Sequence, residues 1–349
     1  MSILKDTTLK YETNFWNDSC DLKELDYALE NHCVGATTNP IIVKNVLASN
    51  LDKYEDYIKE TISYNPNLTE DEIAWIIIEK LAVDGANKLK PIFNSTTGEG
   101  RISIQTNNKY YKNSELLVKQ ALHFKTLAEN IQVKIPATKA GIKAIEDVTY
   151  NGVSINATVS FTVPQAIAVA EAVERGLSRR LADGKDNSTI TPVCTLMIGR
   201  LDDYMKKVVS KENYLISPEA LEWAGIACAK KYYSLYKSRN YKTKLLTAAF
   251  RNIHHWTSLV GGDLLATIPA GFQKKLNGST IEIKSEIDNV IEKRYLDELM
   301  EIPQFRQAYN IDGMTIDEFD TYGATKDTLS QFFAGYDELV CIIRKYIIQ

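Results

Sequence analysis

The chain has 349 residues, with 41 Lys plus Arg against 45 Asp plus Glu and a formal net charge of -4, which excludes a global positive field that would recruit nucleic acid or an anionic membrane. Hydrophobic residues at 44% and charged residues at 25% are the mix of a globular protein able to bury a large core, and the length suits one α/β barrel with extensions.

Met1-Ser2-Ile3-Leu4-Lys5 lacks the apolar core of a signal peptide, and no stretch approaches a membrane span, so the cytoplasm is the expected location. Along the chain, short apolar runs read as strands over 11–17, 34–38, 101–106, 132–136, 154–161, 191–198, 244–250 and 264–268. Helical patterns fall between them, over 22–30, 70–83, 114–128, 141–147, 164–175, 218–237 and 253–260. Repeated strand-helix alternation means a parallel sheet, and about eight units close into a (β/α)8 barrel. After Pro269 the pattern turns to helices, over 285–300 and 326–348. Residues 270–349 are therefore expected as a helical extension packed on the barrel, within a single domain over 1–349. The apolar stripe with Phe332, Phe333, Leu339 and Ile342 suits a cap on the barrel mouth or a homodimer interface; a cap buries it on its own chain.

Two features invite other functions. Five cysteines, widely spaced and without a Cys-x-x-Cys pair, suggest neither a disulfide framework nor a zinc site, and the adjacent His254 and His255 cannot share one helical face, so no metal is expected. The stretch from Lys230 to Lys244 interleaves cations with tyrosines, as single-strand nucleic-acid binders do. It continues a helical pattern, however, and places its cations near a helix carboxy terminus where the dipole favours them, so no nucleic-acid partner is expected.

Lys134 is the informative residue. In Ile131-Gln132-Val133-Lys134-Ile135-Pro136, period-two alternation points it away from Val133 and Ile135, into the barrel. Burial lowers an amine's pKa and frees it to attack a carbonyl as a Schiff-base nucleophile. Other polar residues share the inward parity near the strand ends: Asp18, Thr37 and Asn39, Ser103 and Gln105, then Asn156, Thr158 and Ser160, with Ala157 and Val159 facing the helices. Thr195 and Arg200 follow strand six, and Arg251 follows strand seven. An amine, a carboxylate, several amides and hydroxyls, and two arginines able to clamp a phosphate suit Schiff-base chemistry on a phosphorylated sugar.

These residues sit in segments that resemble transaldolases: Gly35-Ala36-Thr37-Thr38-Asn39-Pro40, Val133 to Gly141, Ile155-Asn156-Ala157-Thr158-Val159-Ser160-Phe161, Gly199-Arg200-Leu201-Asp202-Asp203 and Ala249-Phe250-Arg251-Asn252. The resemblance runs in order from Asp18 to about Pro269. It implies a class I aldolase-type (β/α)8 TIM barrel, no cofactor, and transfer of a dihydroxyacetone unit from sedoheptulose 7-phosphate or fructose 6-phosphate to an aldose phosphate, a step of the pentose phosphate pathway. By the same resemblance, Lys134 forms the Schiff base and Asp18 is the acid/base. Asn39, Asn156 and Thr195 contact the dihydroxyacetone part, Thr158 holds the catalytic water, and Arg200 and Arg251 take the phosphate.

The chain also departs from the pattern. Gln105 stands where transaldolases have a proton-relaying glutamate, and an amide orients water but cannot take its proton. Fructose 6-phosphate aldolases resemble this chain there, which gives a second reading, an aldolase that releases dihydroxyacetone. Ala249 replaces a phosphate-side serine, and Thr195-Leu196-Met197 replaces a serine-proline-aromatic run, so an altered substrate is expected. A third reading is a non-catalytic sugar-phosphate-binding protein. It explains poorly why a buried amine beside a carboxylate should be kept, since an unpaired one costs stability.

Overall fold

The computed structural model describes residues 2–96 and 98–348. Its centre is a closed barrel of eight parallel strands paired in chain order: β1 (Asn14–Asn17), β2 (Gly35–Thr37), β3 (Arg101–Gln105), β4 (Ile131–Pro136), β5 (Ile155–Ser160), β6 (Val193–Leu196), β7 (Lys244–Thr247) and β8 (Leu265–Ile268). β1 closes on β8 through pairs from Asn14 with Leu265 to Asn17 with Ile268. With helices around it, this is the (β/α)8 TIM barrel that the alternation predicts. Each expected strand is present but most are shorter, because ends such as 11–13, 191–192 and 248–250 belong to the loops that enter or leave the barrel.

The helices differ more from expectation. Leu22–Glu30 falls where predicted, whereas Glu70–Ser95 runs well past residue 83, because Leu81, Ala82, Ala86 and Leu89 prolong its buried face against β3. A Thr69–Glu72 capping box fixes its start. The single helix expected over 218–237 is two, Pro218–Leu221 and Ala224–Ser238. The break has a cause: the Gly225 amide donates to the Asp202 carboxylate (2.8 Å) instead of continuing a helical ladder. In the second of these helices Tyr232 and Tyr236 are buried, so the run of tyrosines presents them to the core. Among the described residues, no helix is long and apolar enough to cross a membrane.

Strand β5 corrects one expectation. Its pairing with β6 slips between Ala157 and Ser160, and Val159 sits at φ +51°, a left-handed value rare for a β-branched residue. The extra residue is a β-bulge, which turns the side chains beyond it over. Asn156 and Thr158 keep the expected parity, but Ser160 does not share it. The Ser160 hydroxyl lies 3.9 Å from the Cys194 thiol, one residue out of step with the inward Thr195.

The carboxy-terminal helix Gly323–Ile347 packs on Pro40–Ser49 and Glu70–Ser95 and reaches the amino-terminal end of Ile198–Glu212, across the mouth of the barrel. It buries Phe332, Leu339 and Ile343, while Phe333 and Ile342 are half-buried. Gly335 permits this approach, since a β-carbon there would stand 2.7 Å from the Ile41 side chain and 3.2 Å from its Cα. The Tyr336 hydroxyl donates to Asp71 at 2.7 Å, pinning the helix to the start of Glu70–Ser95.

Candidate active site

Strand register carries the site. Gln105, Lys134 and Asn156 are level with one another on β3, β4 and β5, so their side chains enter the barrel side by side. Lys134 is 3% exposed, and its ammonium donates to the Thr38 carbonyl at 3.1 Å. Burial pushes it down to about 8, with Asp18 opposing the shift and Arg200 adding to it. Asp18 follows β1 and keeps some exposure at the mouth. Burial still raises its carboxyl above the ordinary value, and the Lys134 charge and the Thr37 hydrogen bond offset this only in part. Both shifts favour the neutral forms.

Hydroxyls and amides fix these groups. The Thr37 hydroxyl donates to Asp18 (2.7 Å) and lies 2.7 Å from that of Thr267 on β8, a residue that the sequence did not single out. On the other side, Thr195 donates to Asn156 Oδ1 (2.6 Å) and Asn156 Nδ2 donates to Ser103 (2.9 Å). Gln105 Nε2 donates to Asn108 Oδ1 at 2.7 Å. Asn108 also gave no sequence signal, because it lies in the short turn beyond β3, outside any alternating pattern. Gln105 Oε1, Asn108 Nδ2 and the Thr158 hydroxyl are buried with no hydrogen-bond partner among the described residues. Three such atoms near one amine are suited to hold a water or a substrate hydroxyl. Asn39 departs from expectation in part: its carbonyl oxygen caps the Pro40–Ser49 helix by accepting from the Ile42 amide (3.0 Å), which leaves only its amide nitrogen for a ligand.

The two arginines line one cavity of about 310 Å³ with Asp203, Tyr204, Lys207, Thr328 and Gln331. Arg200 donates to Gln331 (2.6 Å) and stacks 5.3 Å from the Phe332 ring centre, so the carboxy-terminal helix forms one wall. Burial, and then the Arg251 charge, lower its pKa. Arg251 is exposed and pairs with Asp203 through Nε at 3.0 Å and Nη2 at 2.8 Å. A second cavity of about 260 Å³ opens beside Asp18, between Ile42 and Pro269. Lys134 lines neither cavity; its amine lies deeper, beneath Asp18 and the Thr38 carbonyl.

Similarity to known proteins agrees with this geometry. The family model described as Transaldolase/Fructose-6-phosphate aldolase matches residues 15–332. A transaldolase of Methylococcus capsulatus is 30% identical over 268 residues, covering 74% of each chain. Transaldolase 2 of Streptomyces avermitilis is 31% identical over 212 residues, which is 60% of this chain and 56% of that protein, so the match spans little more than half its length. A transaldolase of Thermosynechococcus vestitus is 29% identical over 326 residues, 89% of this chain and 74% of its own. The matched region contains β1 to β8 and nearly all the polar ring at the barrel mouth, and the chain belongs to the transaldolase/fructose-6-phosphate aldolase family.

Proposed function

We propose that the chain is a transaldolase, transferring a dihydroxyacetone unit from a ketose phosphate, sedoheptulose 7-phosphate or fructose 6-phosphate, to an aldose phosphate. The observation that carries this reading is the Lys134 amine, sealed at 3% exposure and pushed down to about 8 beside a carboxyl group. The neutral amine adds to the ketose carbonyl, and loss of water gives an iminium. Asp18 takes the C4 hydroxyl proton as the C3–C4 bond breaks, its electron pair passing into the iminium to leave an enamine. The enamine then attacks the acceptor aldehyde, and water releases the product and restores the amine. Asn156 and Thr195 hold the dihydroxyacetone hydroxyls, with the Asn39 amide nitrogen as a further donor. Thr158 and Gln105 orient the water, and Arg200 and Arg251 bind the phosphate.

Gln105 favours a second reading. With no carboxylate at that place, Asp18 is the only residue of the ring able to shuttle protons, and an enamine that picks up a proton before meeting an acceptor releases dihydroxyacetone, as in an aldolase.

The test is borohydride reduction with fructose 6-phosphate or sedoheptulose 7-phosphate, followed by intact-mass measurement of the wild type and Lys134→Ala. The expected result is a dihydroxyacetone adduct on the wild type only. Dihydroxyacetone release without an acceptor would select the aldolase reading. No adduct with either sugar, and a Lys134→Ala variant altered only in thermal stability, would leave the non-catalytic reading.

A further inference from the structure

Beneath the two arginines lies a buried acid–imidazole pair that the mechanism above does not use. Asp202 and His255 are both 0% exposed, and His255 Nε2 lies 2.7 Å from Asp202 Oδ2. Asp202 Oδ1 accepts from the Gly225 amide at 2.8 Å. The other ring nitrogen, His255 Nδ1, receives the backbone N–H of Arg251 at 3.1 Å. A backbone amide can only donate, so Nδ1 must accept and Nε2 must carry the proton that Asp202 receives. The tautomer is therefore set by its neighbours.

The position of the pair is informative. Asp202 lies two residues beyond Arg200 on the Ile198–Glu212 helix, while His255 follows Arg251 on the next loop. One imidazole thus ties the main chain of the second arginine to the helix that carries the first. The two segments also touch at Gly199, where a β-carbon would stand 1.8 Å from the Ala249 carbonyl oxygen. Ala249 itself turns through φ +66°, a conformation that an alanine adopts only when its surroundings hold it there. The Arg251 side chain is held only by exposed partners, Asp203 and loop carbonyls, which an incoming phosphate displaces. The hold on its main chain is buried and persists.

We infer that His255, held by Asp202, is a positioning residue that fixes the spacing between Arg200 and Arg251 and so sets affinity for the phosphorylated end of the sugar. This rests on the reading of those arginines as the phosphate site. His255 touches no reacting atom and does no proton transfer. Its role is geometric, because paired guanidinium contacts to one phosphate lose strength when their spacing drifts.

The experiment uses the full chain and inorganic phosphate as probe. Its dissociation constant is measured by titration calorimetry for the wild type, Arg251→Ala, His255→Gln and Asp202→Asn, with adduct formation from fructose and fructose 6-phosphate measured alongside. Asn at 202 keeps the volume but offers one acceptor oxygen where Asp offers two, which gives a second variant should His255→Gln not fold. The expected result is phosphate binding weakened about tenfold or more in His255→Gln and Asp202→Asn, as in Arg251→Ala, the loss of about one good hydrogen bond. Adduct formation from unphosphorylated fructose should stay within about twofold of wild type. If Arg251→Ala weakens phosphate binding and neither of the other variants does, the inference is wrong and the phosphate reading stands. If fructose and fructose 6-phosphate suffer equally, His255 is merely structural and the inference is overturned. If Arg251→Ala itself leaves phosphate binding unchanged, the phosphate reading falls and takes the inference with it.

Discussion

Lys134 shows how one side chain trades stability for reactivity. Its pKa falls from 10.5 to about 8 because burial penalises the ammonium more than Asp18 relieves it. Below pH 8 the amine is protonated in both the folded and unfolded chain, so the whole penalty is felt. Between pH 8 and about 10.5 the folded form has released its proton while the unfolded form keeps it, and stability rises with pH across that window. Lys134→Met should accordingly raise the neutral-pH stability by on the order of 1–3 kcal/mol, the loss of counter-charge at Asp18 taking up part of the gain. Denaturant melts at pH 7 check this, and a variant less stable than wild type would refute the burial argument. In the wild type, the rate of adduct formation should climb as pH rises to about 8 and level off above it. Lys134 was legible in the sequence because an inward lysine among Val133 and Ile135 breaks a strand pattern. Asp202 left a fainter mark, a carboxylate on the buried stripe of Ile198, Leu201 and Met205, where helical periodicity leaves no route to water. Its partner His255 left none, since their meeting depends on packing between loops far apart in sequence.

Among the elements, the strands were readable and the bulge was not. Alternation and turn residues locate all eight strands, because each must bury one face against helices and one inside the barrel. A bulge obeys no such pattern: Val159 is an ordinary strand residue that the ladder with β6 forces out of register. It changes the expected chemistry of β5, since Thr158 faces the site and Ser160 faces Cys194. Thr158→Ala should slow hydrolysis of the trapped intermediate by about tenfold or more, while Ser160→Ala should leave turnover within about twofold of wild type. Single-turnover kinetics separate the two, and equal losses would put Ser160 back in the site. The helices were harder to read at their ends. Glu70–Ser95 passes through Pro91 because its buried face continues, and the break at Glu222 and Trp223 comes from a side chain on another helix. Both outcomes are tertiary overrides of local preference.

At the scale of the molecule, the helix across the mouth joins the site to the chain's distant parts. Phe332 lies under Arg200, Gln331 accepts from it, and Lys207 pairs with Asp327 at 2.8 Å, so the phosphate cavity is walled by a segment more than a hundred residues from either arginine. Gly335→Val should push that helix off Ile41, lowering stability by about 1–3 kcal/mol and weakening inorganic phosphate binding together. Denaturant melts and calorimetry on the same preparation test the coupling, and a destabilised variant with unchanged phosphate affinity would show that the wall is passive. The sequence gave an amphipathic helix here without saying what it covers, because its stripe suits any apolar surface.

Closure of β1 on β8 has a consequence for how the protein comes into being. The Thr13 hydroxyl donates to the Gly262 carbonyl across 249 residues of chain. A ribosome adding about 5–20 residues per second needs roughly 10–50 s to span that interval. Throughout it, the first strand waits with an unpaired edge and Lys134 stands in water with an ordinary ammonium. The reactive amine is therefore made late, at the moment the ring shuts, and a nascent chain stalled before Leu265 would be both open to aberrant strand pairing and chemically inert.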